Sequence, residues 1–192
     1  MSRLEVIAGP MFSGKSEEMI RRLVRSSFAR KGIFTLRPRL DDRVTRNIFN
    51  LINENNFLNS YKNIRSGFLD NPETLKRAIK DFGLQVLAID EAQFFEPWIV
   101  DIIKETLDRF ARDDFRIIVS GLDMNFLKEP FGPMPALMAM ADEVVKLTAI
   151  CHRCRTNPAN LTYKLGDSKQ KVEVGDSELY QARCRHCHAL PD

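Results

Sequence analysis

Apolar residues recur along this chain in two alternating rhythms. Short apolar runs with few polar interruptions occupy residues 4–8, 32–36, 84–89, 116–120 and 144–150. Such runs mark strands buried on both faces of a sheet. Between them, apolar positions fall at helical spacing: Met19, Ile20, Leu23, Val24 and Phe28 predict a helix over 17–29. Asn71 as N-cap, Pro72 at the first helical position and Glu73 in the first turn open a second helix. Leu75, Ala78, Ile79 and Phe82 make its stripe, and Gly83 closes it. Ile99, Ile102, Ile103 and Phe110 predict a helix over 98–110, and a short helix is expected over 135–142. Strands alternating with helices predict an α/β fold with a mostly parallel sheet.

Some stretches break the rhythm. Pro38 lacks an N–H, so residues 37–43 read as a loop leaving the carboxyl end of the second strand. Residues 44–64 carry seven asparagines and read as a mobile connection that ends in a short strand near 61–65. Residues 124–134 read as a loop through Phe126, Pro130, Phe131, Gly132 and Pro133. Composition shifts again at Cys151. The expected division is a nucleotide-binding α/β domain over 1–150 and a small metal-binding domain over 151–192.

The 192 residues suffice for one sizeable domain with an appendage. A net charge of +3, from 29 basic and 26 acidic residues, is too mild to argue for a nucleic-acid partner. No apolar run is long enough to span a bilayer, and no signal-peptide core precedes the first strand, so a cytoplasmic, reducing location is expected. All four cysteines and all three histidines lie after residue 150. A general base in the first 150 residues must therefore be a carboxylate, Lys or Tyr.

Gly9 to Ser16 reads Gly-Pro-Met-Phe-Ser-Gly-Lys-Ser, between the first strand and the first helix. This matches the phosphate-binding loop pattern: backbone N–H groups turn around phosphate, Lys15 reaches the β and γ oxygens, and Ser16 sits on Mg²⁺. A plain glycine-rich turn is the competing reading. Residues 84–89 end in Asp90-Glu91. There one acid can hold Mg²⁺ through water while the other takes a substrate proton; alternatively, the pair complements the start of the next helix. Asp41 and Arg43 stand where ligands bind, or form a solvated loop pair. Cys151-x-x-Cys154 and Cys184-x-x-Cys187 offer four thiolates, which suit a structural Zn²⁺, with two disulfides as the alternative. His188 is a further candidate ligand, less favoured by spacing than Cys187. The zinc would staple the base of a polar loop, 155–183, which is too short for its own core and would pack on a ligand.

Together these pieces resemble the zinc-containing, cytosolic type of thymidine kinase over nearly the whole chain. The resemblance is carried by the phosphate loop, Asp-Glu-Ala-Gln-Phe-Phe at 90–95, Gly-Leu-Asp at 121–123, Pro-Phe-Gly-Pro-Met-Pro at 130–135, Lys-Leu-Thr-Ala-Ile-Cys at 146–151 and the second cysteine pair. It implies a phosphate-loop NTPase-like sheet flanked by helices, with a zinc-anchored loop (the lasso) folding over the nucleoside. It implies transfer of the ATP γ-phosphate to the 5′-hydroxyl of thymidine, and of deoxyuridine, with Mg²⁺, in a homotetramer. The resemblance makes Glu91 the general base. The donor's phosphates would lie on Gly9, Met11, Phe12, Ser13, Gly14, Lys15, Ser16, Asp90 and Arg43. The nucleoside would meet Met11, Asp41, Gln93, Phe94, Leu122, Phe126, Phe131, Thr162, Val172, Val174, Gly175 and Tyr180. Departures from the family pattern include Arg37 for a usual Lys, Leu127 for a frequent Arg, and Asp176 in place of a glycine. The competing function is a zinc-ribbon ATPase that binds nucleic acid.

Overall fold

The computed structural model describes residues 1–29, 31–39, 48–69, 71–81, 83–166 and 178–188. Its centre is a six-stranded parallel sheet. In chain order the strands are β1 (Arg3–Ala8), β2 (Ile33–Pro38), β3 (Ile64–Leu69), β4 (Val86–Ile89), β5 (Arg116–Gly121) and β6 (Glu143–Lys146). In space they run β3-β2-β4-β5-β1-β6, and every neighbouring pair is parallel. All six carboxyl ends therefore open on one edge, where open α/β sheets bind ligands.

Alternate side chains divide the core into two layers. Leu4, Val6 and Ala8 of β1 face α4 (Pro72–Asp81), α5 (Trp98–Arg109) and α6 (Met134–Met140), whose Leu75, Ile102 and Leu137 are buried. Ile7, Ile33, Ala88 and Ile118 face α1 (Lys15–Phe28), α2 (Ile48–Glu54) and α3 (Asn56–Ser60). Helices on both faces explain why the strand segments read as near-continuous apolar runs.

Three expectations are corrected here. The part of 44–64 that is described is not a mobile connection but two short helices and the start of β3. Ile48, Ile52 and Leu58 are almost fully buried beside Met19 and Leu23 of α1, and this tertiary burial overrides the turn preference of the asparagines. Asn55 serves the helix instead, its side chain accepting the N–H groups of Phe57 and Leu58. Second, Pro38 does not lie outside β2 but is its last residue. The pairing with β4 ends at Leu36–Ile89, so Pro38 sits opposite Leu69 of β3 only, clear of the two-sided ladder. Third, the strand expected over 144–150 divides. β6 ends at Lys146, and β7 (Ala149–Ile150) pairs antiparallel with β8 (Pro158–Ala159) in a separate small sheet.

After β6 the chain builds two small antiparallel sheets, β7–β8 and a hairpin of β9 (Leu161–Lys164) with β10 (Tyr180–Arg183). Ala149, Ala159, Ala182 and three of the cysteines make their shared apolar centre. Among the described residues no helix is long and apolar enough to cross a membrane.

Candidate active site

The loop after β1 is shaped by steric necessity. Gly9 has φ 150°, and a Cβ there would stand 2.6 Å from the carbonyl oxygen of Leu147. Its glycine lets the loop turn beneath the chain that leaves β6. Gly14, at φ 82°, precedes α1 without a capping side chain. A glycine-led helix start of this kind aims its first turn at an anion in phosphate-binding loops. Lys15 is 9% exposed, and its Nζ donates to the Pro10 carbonyl at 2.8 Å, across the mouth of the loop. Ser13 Oγ donates to the same carbonyl.

At the end of β4, Asp90 is buried and faces the phosphate loop. Ser16 Oγ lies 3.4 Å from its Oδ2, and Ser120 donates to its Oδ1, as does the N–H of Glu91 at 3.0 Å. Burial raises the Asp90 carboxyl to about 6; the Glu91 charge adds to the rise, while Ser120 and Lys15 oppose it. A carboxylate in this state gains strongly from a cation, and with Ser16 beside it the pair suits a divalent ion bound to phosphate.

Glu91 caps a one-turn 3₁₀ helix, Ala92–Phe94, with φ 53°, a left-handed conformation uncommon for a residue with a side chain. Its Oε2 accepts from Gln93 Nε2 at 2.6 Å. Gln93 in turn accepts the Leu122 N–H on Oε1 at 3.0 Å, which joins the ends of β4 and β5. Gly132, at φ 52°, lets the following loop run against the Gln93 carbonyl, where a Cβ would collide. That loop brings Phe131 edge-on to Phe94, with centroids 5.7 Å apart. Phe126 and Leu122 are buried beside this corner, and the Lys164 ammonium of β9 lies 5.1 Å from the Phe126 ring centre.

The C-terminal hairpin closes the other side. Thr162 Oγ1 accepts the Met11 N–H at 3.1 Å, and Tyr180 stands opposite Lys164 in the hairpin register. Successive hydrogen bonds thus link Ser16, Asp90, Glu91, Gln93 and Leu122, with Ser120 also on Asp90, and a separate bond joins Met11 to Thr162. Asp41, Arg43, Val172, Val174 and Gly175 lie outside the described residues. Ser120 and Lys164 were not anticipated. Ser120 could have been found from its place at the end of a buried strand, but its meeting with Asp90 depends on strand order.

The four cysteines are free thiols whose Sγ atoms all lie within 4.8 Å of one another, with Cys154 and Cys184 4.0 Å apart. They could hold a metal ion. Thiolates around tetrahedral zinc sit about 3.8 Å apart, given a Zn–S length of about 2.3 Å, so the set fits. Tight turns present them: the Arg155 N–H bonds the Cys151 carbonyl, and the Cys187 N–H bonds that of Cys184. His188 is directed elsewhere, with Nε2 3.0 Å from the Thr162 carbonyl oxygen.

Comparison with known proteins agrees with this arrangement. The profile of the family described as thymidine kinase matches residues 2–188. The chain belongs to the thymidine kinase family. A thymidine kinase of Mycoplasma mobile is 38% identical over 185 residues, which cover 96% of this chain and 86% of that protein. The thymidine kinase match spans both the parallel sheet and the cysteine-bearing segment that follows it.

Proposed function

We propose that the protein transfers the γ-phosphoryl group of ATP to the 5′-hydroxyl of thymidine, giving thymidine monophosphate and ADP, and that it also accepts deoxyuridine. The observation that carries this reading is the approach of Ser16 in the phosphate loop to Asp90, with Glu91 next to it and held by Gln93. Donor and acceptor chemistry then share one sheet edge. Gly9 to Ser16 would wrap the donor's phosphates, with Lys15 and Arg43 on the transferring group. Magnesium carried with ATP would neutralise charge there, held by Ser16 and, through water, Asp90. Glu91 takes the 5′-hydroxyl proton as that oxygen bonds to phosphorus. The bond from phosphorus to the β–γ bridging oxygen breaks, and ADP leaves. Phosphoryl transfer asks for positioning and charge neutralisation more than for a strong base, so one oriented carboxylate suffices.

The acceptor pocket would be lined by Met11, Gln93, Phe94, Leu122, Phe126, Phe131, Thr162 and Tyr180, with Asp41 near the transferring phosphate and Val172, Val174 and Gly175 reading the base. A pocket that pairs a pyrimidine with fixed polar groups rejects purines by size and by leaving those groups unpaired. The metal held by Cys151, Cys154, Cys184 and Cys187 would be zinc, in a structural role, since four protein ligands leave no open position. Free thiols suit a reducing cytoplasm. A homotetramer is expected from the family likeness, and light scattering would test it.

Glu91→Gln tests the assignment of the base. Turnover with thymidine is expected to fall about 100-fold or more, with ATP affinity held within about twofold. Near-normal turnover in that variant would remove Glu91 from the role.

A further inference from the structure

Two consecutive residues of the phosphate loop are held by the cysteine module. The Met11 N–H is bound by Thr162 Oγ1 at 3.1 Å, across 151 positions of sequence. Thr162 is itself fixed: it is 3% exposed, and its carbonyl oxygen meets His188 Nε2 at 3.0 Å. His188 directly follows Cys187, and its own N–H bonds the Cys184 carbonyl. The next loop residue, Phe12, has φ 64°, an unfavourable conformation for a bulky side chain. Its ring packs against that of His152, with centroids 5.1 Å apart. His152 directly follows Cys151. Its N–H donates to the Ala182 carbonyl at 2.9 Å, and its Nδ1 lies 3.2 Å from the Ala182 nitrogen. Ala182 faces Thr162 across the hairpin, so both supports converge on one pair of strand positions. Each cysteine pair thus sends the residue after one of its members toward the phosphate loop.

We propose that the cysteine module is a working part of the donor site: through His152, and through Thr162 backed by His188, it holds Met11 and Phe12 in the conformation that binds nucleotide. The module then does more than anchor a loop over the nucleoside. Its loss loosens the phosphate loop, and ATP affinity falls with it. His152, His188 and Thr162 are positioning residues for this purpose. The proposal rests on the reading of residues 9–16 as the donor site. Strained loop backbone persists only where its surroundings over-determine it, and the supports identified for Met11 and Phe12 come from the module.

The test uses the full-length protein and two variants. His152→Asn removes the ring but keeps an acceptor for the Ala182 N–H. Thr162→Val removes the acceptor for Met11 at nearly constant shape. Calorimetric titration with ATP and Mg²⁺ is expected to show about fivefold weaker binding in each variant, the loss of one modest contact. Zinc by elemental analysis should stay at about one ion per chain in all three proteins, the content of a single four-thiolate site. Amide exchange across residues 9–14 should quicken in both variants, a change that a purely structural role in the hairpin would not produce. Unchanged ATP affinity and unchanged exchange in both variants, beside a wild type that binds ATP, would overturn the linkage. A wild type that binds no ATP would instead overturn the donor-site reading, and the exchange result would still decide whether the module holds the loop.

Discussion

Asp90 shows how much one position depends on its surroundings. Its carboxyl is buried and raised to about 6 by that burial and by the neighbouring charge of Glu91, while the Ser120 hydroxyl favours its ionised form. The ionised form is the one that would face the metal. Activity on limiting substrate should therefore decline as pH falls through about 6, because protonation removes the charge. Ser120→Ala removes a bond that lowers the pKa, so its acid limb should shift to higher pH. A pH profile of kcat/KM for both proteins checks this; coincident acid limbs would separate Ser120 from the ionisation. Residues 14–16 and 90–91 were legible in the sequence because a phosphate loop and a strand-end acid pair are local patterns. The bonds from Ser120 to Asp90 and from Thr162 to Met11 were not. They join positions far apart in the chain, and only strand order and hairpin register bring them together.

At the scale of elements, β1 and α1 are locked by a charge network beneath their apolar contacts. Glu5 is 1% exposed and pairs with Arg3 at 2.7 Å, Arg22 at 2.6 Å and Arg116 at 2.8 Å. Burial pushes its carboxyl up, but bonds and charge from Arg116, Arg22 and Arg3 outweigh it and leave the pKa below the ordinary value. Hydrogen bonds from Arg21 and Arg22 bring Glu18 of α1 down to about 2. Both folded-state values lie below the unfolded ones. Each contribution is therefore full above about pH 4.5, the ordinary value, and is lost as pH falls through the lowered folded-state value, which for Glu18 is about 2. Glu5→Gln should cost about 3 kcal/mol at neutral pH, since Arg116 loses its carboxylate partner and Arg22 keeps only Glu18 and Glu143. The gap from wild type should narrow in urea titrations carried from pH 5 toward pH 3. A gap independent of pH would show that Glu5 acts through packing and not charge. Glu5 appeared in the sequence only as one polar interruption of an apolar run. The helices over 48–60 were missed for the opposite reason: their asparagines are visible, while the burial of Ile48, Ile52 and Leu58 against α1 is not.

For the whole molecule, alternating strands and helices were enough to expect a parallel α/β sheet, and parallel strands dictate that all carboxyl ends share an edge. The spatial order β3-β2-β4-β5-β1-β6 carried no signature in the sequence, yet it brings the phosphate loop and Asp90 to flank β5. The four cysteines were readable as a metal set from spacing alone, because knuckle geometry is local. Their contact with the phosphate loop through His152 and Thr162 was not, since nothing in either segment names the other.

The most direct measurement is ADP release with ATP and Mg²⁺ across a panel of deoxynucleosides. Turnover that depends on thymidine, with deoxyuridine as the second substrate and little with deoxycytidine or purine nucleosides, is the expected result. Turnover with deoxycytidine or a purine nucleoside, and none with thymidine, would contradict it.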